Sequence, residues 1–433
     1  MTRKLLLKKA TRIEGNADID IEVSDGRVKM GRFLVREFRG FERFVRGRRV
    51  EYAPQLVSRI CGLCSCAHQV ASFRAIEKAM GIEVSQSVEA LRDILVLGEW
   101  ISSHSLSYFF LCLPDAVEAK GGIFELIEKY PDIANEAFFL REAGLRISGA
   151  IGKRAVHPVS MGIGHFLNPP STEDLVSVQR LAEEIKTRVK QLIHQIDALR
   201  FRRSNIKFPD DIQLNFVAYD SQVNQERFKV FSSSGKVVSE FSPASFEEAV
   251  GEIRTDWTFS KVPYLRHLGF PGGIMLVGPL SRSYLPNGFL SDPEVGEFEL
   301  SRRLREPENL SLESFDWCRI LEIFWAAKNI LHLLNTVDLN DFGQKPNYMV
   351  NGQGIGVVEA PRGILVHSYL IQKGYIEKLR LLVATQFNNA YINLLITDLA
   401  QRYIEGNHIS ALGEQLIGRC VRLFDPCLSC ATH

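Results

Sequence analysis

Two cysteine pairs, one near each end of the chain, impose the strongest condition on how it can fold. The first lies in Arg59-Ile60-Cys61-Gly62-Leu63-Cys64-Ser65-Cys66-Ala67-His68, the second in Asp425-Pro426-Cys427-Leu428-Ser429-Cys430-Ala431-Thr432-His433. Each is a C-x-x-C with a histidine close behind it. Thiolates at this spacing grip one soft metal ion from a single turn, and two such grips make a four-sulfur site for zinc, nickel or iron. If the two pairs share one metal site, the two ends of the chain must meet in the folded protein.

Composition removes several function classes. A formal charge of +1 and a pI near 7.6 leave no electrostatic footprint for nucleic acid, and no basic block or basic-aromatic module supplies one. The start of the chain has a basic flank but only the short apolar run Leu5 to Leu7, too little for a signal-peptide core. The apolar stretch Tyr108 to Leu113 is far below a membrane span. These features predict a cytoplasmic protein with no membrane span and no nucleic-acid partner. The 8 cysteines of such a protein read as metal ligands and buried thiols rather than disulfides. Cys112, Cys318 and Cys420 have apolar, helix-like surroundings typical of core residues. Cys66 stands inside the first motif.

Along the chain, Ile19, Ile21 and Val23 alternate with Asp18, Asp20 and Glu22, and Ser24-Asp25-Gly26 supplies a turn, so residues 18 to 34 read as a half-buried hairpin. Glu14 precedes it in Thr11-Arg12-Ile13-Glu14-Gly15, and Glu42 follows in Arg39-Gly40-Phe41-Glu42. Taken alone, each glutamate reads as a solvated or capping residue. Helices are expected over His68 to Met80, from a serine cap at Ser85 through Leu113, over Ala134 to Ile151, and over Thr172 to Leu199. The loop Gly152 to Pro158 holds His157, either facing a site or satisfied in a turn. Residues 205 to 310 look irregular, with a hairpin around Ser232 to Gly235. Helix returns over Leu312 to Leu334. Short strands and turns follow through Gly352, Gly354 and Gly356, then a hairpin of Ile364 to Ile371 with Tyr375 to Val383, then helices Gln386 to Ile404 and Ile409 to Val421. The glycine cluster lacks the strand-to-helix context of a dinucleotide fingerprint. Arg362, between a proline and a glycine, has a rigid mount.

The predicted class is α+β and predominantly α-helical: long central helices, small β-sheets near the N-terminus and late in the chain, and both chain ends converging on a buried metal site. No linker or repeat is visible, so 1–433 is expected as one interlocked unit. Its parts are a β-rich segment 1–58, the first cysteine pair with its helices 59–204, an irregular insert 205–310, and a closing segment 311–433 with the second pair. Spacing alone leaves two kinds of metal open. A structural zinc site is one, although zinc ribbons usually set their two pairs about 15 to 20 residues apart, and these pairs stand more than three hundred apart. A redox or catalytic thiolate metal is the other.

The motifs in combination carry more information. R-I-C-G-L-C-x-x-x-H, D-P-C-L-S-C-A-T-H, T-R-I-E-G, R-G-F-E and E-A-P-R-G together resemble the large, catalytic subunit of nickel-iron hydrogenases, in the same order and over essentially the whole chain. The similarity is greatest to the cytoplasmic branch of methyl-viologen-reducing hydrogenases and soluble sulfhydrogenases.

This resemblance implies a nickel-iron centre with cyanide and carbon monoxide on the iron. Cys61 and Cys427 match its terminal thiolates on nickel, and Cys64 and Cys430 match the bridging ones. Glu14 matches a glutamate that passes protons beside Cys427, Arg362 an arginine over the open metal position, and His68 a histidine against a bridging sulfur. Thr385 and the backbone around Pro361 match groups around the diatomic ligands. Glu42 and His433 match ligands of a second divalent ion, magnesium or iron(II). The implied function is reversible heterolytic cleavage of dihydrogen, with the proton leaving through Cys427 or a base near Arg362 and then Glu14. The chain has no further cysteine cluster, so its electrons are expected to go to an iron-sulfur small subunit. Beyond that subunit, the resemblance implies electron-transfer partners of flavin/NAD(P), deazaflavin or disulfide-reductase type. A hydrogen sensor, or a non-catalytic metal-stapled scaffold related to respiratory-complex subunits, is the alternative. In this sequence Ala384-Thr385 stands where relatives carry Pro-Thr or Pro-Ser, and Ser103 stands where some carry an acidic residue. Precursors of that family often lose a C-terminal extension, which would make a chain ending at His433 a mature form or a variant made without one.

Overall fold

The N-terminal alternation becomes a three-stranded antiparallel sheet, one strand more than the pattern suggested: β1 (Arg3–Leu7), β2 (Ala17–Ser24) and β3 (Arg27–Val35). The computed structural model describes residues 3–7, 10–119, 121–198, 206–221, 226–346 and 351–433. Ile19, Ile21 and Val23 are buried, as the period-two pattern requires.

The long helices follow. They are α1 (Ser65–Met80), α2 (Gln86–Ser105), α3 (Pro131–Gly152), α4 (Thr172–Ala198) and, later, α5 (Ser314–Leu334). Ser85 caps α2 by accepting from Val88 N. The helix expected to run on through Leu113 changes character, because α2 is followed by a π-helical segment, Leu106–Cys112, and a short turn, Leu113–Ala116. The Leu199 end expected for α4 lies outside the described residues. Val178, Leu181, Ile185, Val189, Leu192 and Ile196 all line the buried side of that helix.

The segment 205 to 310 is more regular than its sequence suggested. Among its described residues are the antiparallel sheet β4 (Phe216–Asp220), β5 (Arg227–Phe231) and β6 (Val237–Phe241), and the hairpin β7 (Val250–Thr255) with β8 (Thr258–Leu265). Its many glycine and proline turns had hidden strands of only five to eight residues.

A third three-stranded sheet holds the late part of the chain together: β9 (Gly352–Ala360), β10 (Gly363–Gln372) and β11 (Tyr375–Leu382). The glycine cluster lies on β9 as one continuous strand, and its chemistry is steric. A Cβ at Gly352, Gly354 or Gly356 would stand 2.1 Å from the carbonyl oxygen of Ala79, Ala75 or Ala71 of α1. Two strand residues and four helix residues advance by about the same 6 to 7 Å. Glycines at every second position therefore meet successive turns of α1 and let helix backbone lie on strand backbone. The other face of this sheet packs a second apolar cluster that includes Val217, Phe228, Val230, Ile355, Val357 and Val366.

Three helices finish the chain: α6 (Ala384–Arg402), α7 (Ala411–Phe424) and the single turn α8 (Leu428–Ala431). Helix α6 covers the outer edge of the first sheet. Asn393, Thr397 and Gln401, one turn apart, accept hydrogen bonds from the free N–H groups of Phe33, Gly31 and Val28 of β3 at 2.7, 2.8 and 2.9 Å. The unpaired strand edge is thereby satisfied by side chains. The main hydrophobic core runs without a break from Ala17 on β2 to Ala431 in α8, so both ends of the chain are built into one interior.

Candidate metal centre

The two C-x-x-C segments reach the same point through similar local structure. Cys61 is extended, at the end of a 3₁₀ turn, and Cys64 is the N-cap of α1. Cys427 is likewise extended and caps α8, in which Cys430 lies. In both pairs the first cysteine stands outside the helix and the second is at or inside its start, so the two sulfurs of a pair point the same way. All four Sγ atoms lie within 4.8 Å of one another and are buried. Cys64 is 3.0 Å from Cys430, Cys427 is 3.2 Å from Cys61 and 3.0 Å from Cys430. All four are free thiols rather than disulfides.

Ties from the rest of the chain close this cluster. Arg39 and Gly40 donate their backbone N–H groups to Thr432 O, and the Arg39 guanidinium donates to the carbonyls of Arg59 and Ile60, just ahead of Cys61. One arginine thus binds both cysteine segments. Glu14 pairs with Cys427 through a parallel bridge, with Leu428 N donating to Glu14 O at 3.2 Å. Its carboxylate accepts from Ser429 N at 3.0 Å and from Ser429 Oγ. Gly15 has φ +86°, and a Cβ there would meet Leu428 Cβ at 2.6 Å, which is why Gly15 follows Glu14. Cys427 N donates to Thr385 Oγ1 at 2.8 Å, at the first turn of α6.

Arg362 sits in the turn between β9 and β10, almost fully buried. Its Nε donates to Asp425 O at 2.9 Å, a second N–H to Asp425 Oδ1 at 3.1 Å, and a third to Ser103 Oγ at 3.2 Å. Burial works against its charge, but Asp425, joined by the sulfurs of Cys427, Cys61 and Cys64 where ionised, more than restores it. The mount itself is held by Arg282, which donates to the carbonyls of Ala360 and Pro361 at 2.9 and 3.1 Å. Arg282 in turn makes a two-pronged contact with Glu322 at 2.7 Å, binds Glu359 at 3.0 Å, and lies 4.1 Å over the Trp100 ring.

His68 Nε2 is 3.5 Å from Cys430 Sγ, and burial pulls its pKa down to about 4. Glu99 accepts from Cys66 N and Ala67 N at 2.8 and 3.1 Å, capping the start of α1. Burial pushes that carboxyl up to about 8 against those bonds. Cys66 points away from the cluster toward Ala155 O, 3.8 Å off. Cys112, Cys318 and Cys420 are buried singly in the core. His157 N donates to Ser65 Oγ at 3.1 Å and its Nδ1 lies 3.0 Å from Ser58 O, so its loop brackets the first cysteine segment.

A second group of donors lies behind the C-terminus. His433 Nδ1 is 2.6 Å from Cys430 O and its Nε2 is 2.8 Å from Leu381 O, with Glu42 Oε1 3.8 Å from the same Nε2. Leu381 N donates to Glu42 Oε1 at 2.8 Å. The sequence had marked Glu42 and His433, but Leu381 acts through its backbone, which no side-chain pattern advertises. The roles of Asp425 and Arg282 carry no sequence signal for a related reason: their partners are 63 and 40 or more residues away.

The donor set suits a soft cation. Cys61 accepts from Cys427, Cys430 and Cys64 and is held low by them. Hydrogen bonds from Cys427 and Cys430 favour the Cys64 thiolate too, yet its contact with Cys61 and its burial push it up to about 12. Burial raises Cys427 and Cys430. Four sulfurs this close cannot all ionise unaided, and a divalent metal supplies the compensating charge.

A sequence profile of the family described as nickel-dependent hydrogenase matches residues 39–124 and 318–433, the two stretches that carry the cysteine pairs. A chain of the F420-non-reducing hydrogenase of Methanothermobacter thermautotrophicus is 32% identical over 456 residues, covering 99% of this chain and 94% of that one. The alpha chain of sulfhydrogenase 2 from Pyrococcus furiosus is 30% identical over 439 residues, covering 99% and 98%. Among solved structures, an NAD+-reducing [NiFe]-hydrogenase in the H2-reduced state superimposes with a TM-score of 0.89 at 26% identity, over 100% of this chain and 99% of that one. With end-to-end similarity of this kind and all four sulfurs converging, the chain belongs to the nickel-dependent hydrogenase family.

Proposed function

We propose that the chain is the catalytic subunit of a nickel-iron hydrogenase, an oxidoreductase that cleaves and forms dihydrogen in the cytoplasm. The observation that carries this reading is the buried four-sulfur cluster with Arg362 fixed beside it and Glu14 tied to the backbone at Cys427. Cys61, Cys64, Cys427 and Cys430 would hold nickel and an iron bearing carbon monoxide and cyanide, a centre that supplies a redox-active position where dihydrogen is polarised.

The chain's own residues handle charge and protons. Arg362, immobilised by Asp425 and Ser103, keeps a positive charge next to the sulfurs and orders the space above them. Thr385 fixes the Cys427 backbone, and Pro361 offers its carbonyl to Arg282 and so sets the angle of Arg362. Cys427 is the first proton acceptor in this reading. Glu14 is half-buried and accepts from Ser429, two residues beyond Cys427, so a partly solvated carboxylate beside the second cysteine pair would take the proton onward.

Glu42, His433 and the Leu381 carbonyl would hold a second divalent ion, magnesium or iron(II). Both His433 nitrogens face carbonyl oxygens, yet a neutral imidazole has a single N–H. A cation between Nε2, Leu381 O and Glu42 removes that conflict and pins the C-terminus.

Electrons leave by another chain. Among the described residues the four-cysteine group is the only cluster of metal-ligating side chains of its kind, so an iron-sulfur partner subunit receives them. One relative's name excludes F420 as acceptor and another names NAD+; in this reading acceptor choice lies with further partners of flavin/NAD(P), deazaflavin or disulfide-reductase type. No helix among the described residues is long and apolar enough to cross a membrane.

The test is elemental analysis of the purified complex together with infrared spectroscopy and hydrogen/deuterium exchange. Stoichiometric nickel, bands of metal-bound carbon monoxide and cyanide, and exchange activity are expected. Zinc on the cysteines without such bands would reduce the chain to a metal-stapled scaffold. Nickel with the bands but negligible exchange would make it a sensor.

A further inference from the structure

The His68 ring touches Cys430 on one side and a second imidazole on the other: His68 Nδ1 lies 3.0 Å from His367 Nε2. His68 is in the first turn of α1 and His367 is on β10, and both are fully buried. Among the described residues, neither ring forms an ion pair with a carboxylate, unlike His104, His408 and His433. His367 Nδ1 has no hydrogen-bond partner.

These contacts leave one consistent arrangement of protons. Each neutral imidazole carries a single N–H, and only one proton fits between His68 Nδ1 and His367 Nε2. Were that proton on His68, its Nε2 would turn a lone pair toward the Cys430 sulfur, and His367 would carry its own proton on Nδ1, a buried donor with no acceptor. Orphaned buried donors are among the rarest groups in folded proteins, whereas a bare acceptor is tolerated more often. With the proton on His367 Nε2, the orphan becomes a bare lone pair, and His68 is left with its N–H on Nε2, aimed at sulfur.

We propose that His367 is a positioning residue that fixes the tautomer and ring angle of His68, so that His68 donates a hydrogen bond to Cys430 and withdraws charge from that thiolate. The pair is the counterpart, for a thiolate ligand, of the outer partners that orient metal-bound histidines. Its consequence for the metals rests on Cys430 being a ligand, as read above, while the proton assignment stands on the two rings alone. No motif in the sequence marks His367, because it is brought to His68 only by the packing of β9 and β10 on α1.

The proton assignment is tested by nitrogen NMR of the holoprotein, labelled with nitrogen-15 histidine and poised in a diamagnetic state. Signals are assigned with His68→Gln and His367→Gln. Both rings are expected as Nε2–H tautomers, with a nitrogen-nitrogen coupling across the His367 Nε2–H to His68 Nδ1 bond. A proton on His68 Nδ1 overturns the proposal. Infrared spectra test the consequence. His367→Phe should shift the carbon monoxide and cyanide bands in the same direction as His68→Phe with metal content unchanged, and His367→Gln, whose amide can donate to Nδ1, should move them back. Bands that shift in His68→Phe but stay at the wild-type position in His367→Phe overturn it. Absence of the bands from the wild-type protein would instead defeat the nickel-iron reading, and the NMR result would still decide the role of His367.

Discussion

At the scale of single residues, the proposed function separates groups that hold charge from groups that move it. Arg362 belongs to the first kind. Its three N–H contacts to Asp425 and Ser103 use the planar fork of a guanidinium, and an ammonium cannot reproduce them. Arg362→Lys is expected to lower hydrogen turnover about a hundredfold, the usual effect of losing one preorganised electrostatic group, with nickel content retained; loss of nickel would assign Arg362 to the framework. Glu14 belongs to the second kind. A glutamine there still accepts from Ser429 N, so Glu14→Gln keeps the local structure but removes a titrating carboxyl. Proton-dependent exchange should fall roughly a hundredfold, the low end of general acid-base effects, with unchanged metal content and infrared bands. Exchange at the wild-type rate would take Glu14 off the proton's route.

At the scale of elements, the close packing of α1 on β9 sets where the first cysteine pair and His68 stand. Gly352, Gly354 and Gly356 leave no space for a side chain, since the opposing atoms are helix backbone. Gly354→Ala must therefore push α1 away from the sheet. Overpacking of this kind costs about 1 to 3 kcal/mol, to be read as a lower denaturant midpoint with an unchanged slope. Because Cys64 caps the same helix, the variant should also hold less nickel when matured under identical conditions. Full metal content at wild-type stability would show that the sheet can yield without moving the helix. The glycines read in the sequence as a cluster without a function; a repeat of two becomes meaningful only against the repeat of four on a helix more than 270 residues earlier.

At the scale of the whole molecule, the site is a closure of the chain upon itself. His433 is buried and contacts Cys430 O and Leu381 O, so α8 is held at both of its ends. His433→Ala should release that turn, with nickel content falling severalfold while the melting temperature drops by only a few degrees, because the core up to α7 is untouched; each kcal/mol lost moves a large domain by about 2 to 4 °C or less. A large drop in melting temperature with nickel intact would mean that the C-terminus serves stability rather than the metals. Much of this architecture was legible in the sequence. The C-x-x-C spacing determined the two metal grips, the period-two and three-to-four patterns determined β2 with β3 and the long helices, and the sharing of one site required the ends to meet. These are local properties, fixed by backbone geometry within a turn or two of each residue. Tertiary structure alone decided the partners: Asp425 and Ser103 for Arg362, the Leu381 carbonyl beside His433, the glycines of β9 under α1, and His367 behind His68. Each is a contact between segments far apart in the chain, often through backbone atoms that every residue possesses. Such contacts are selected by the packing of the whole core, not by the residue type at any one position.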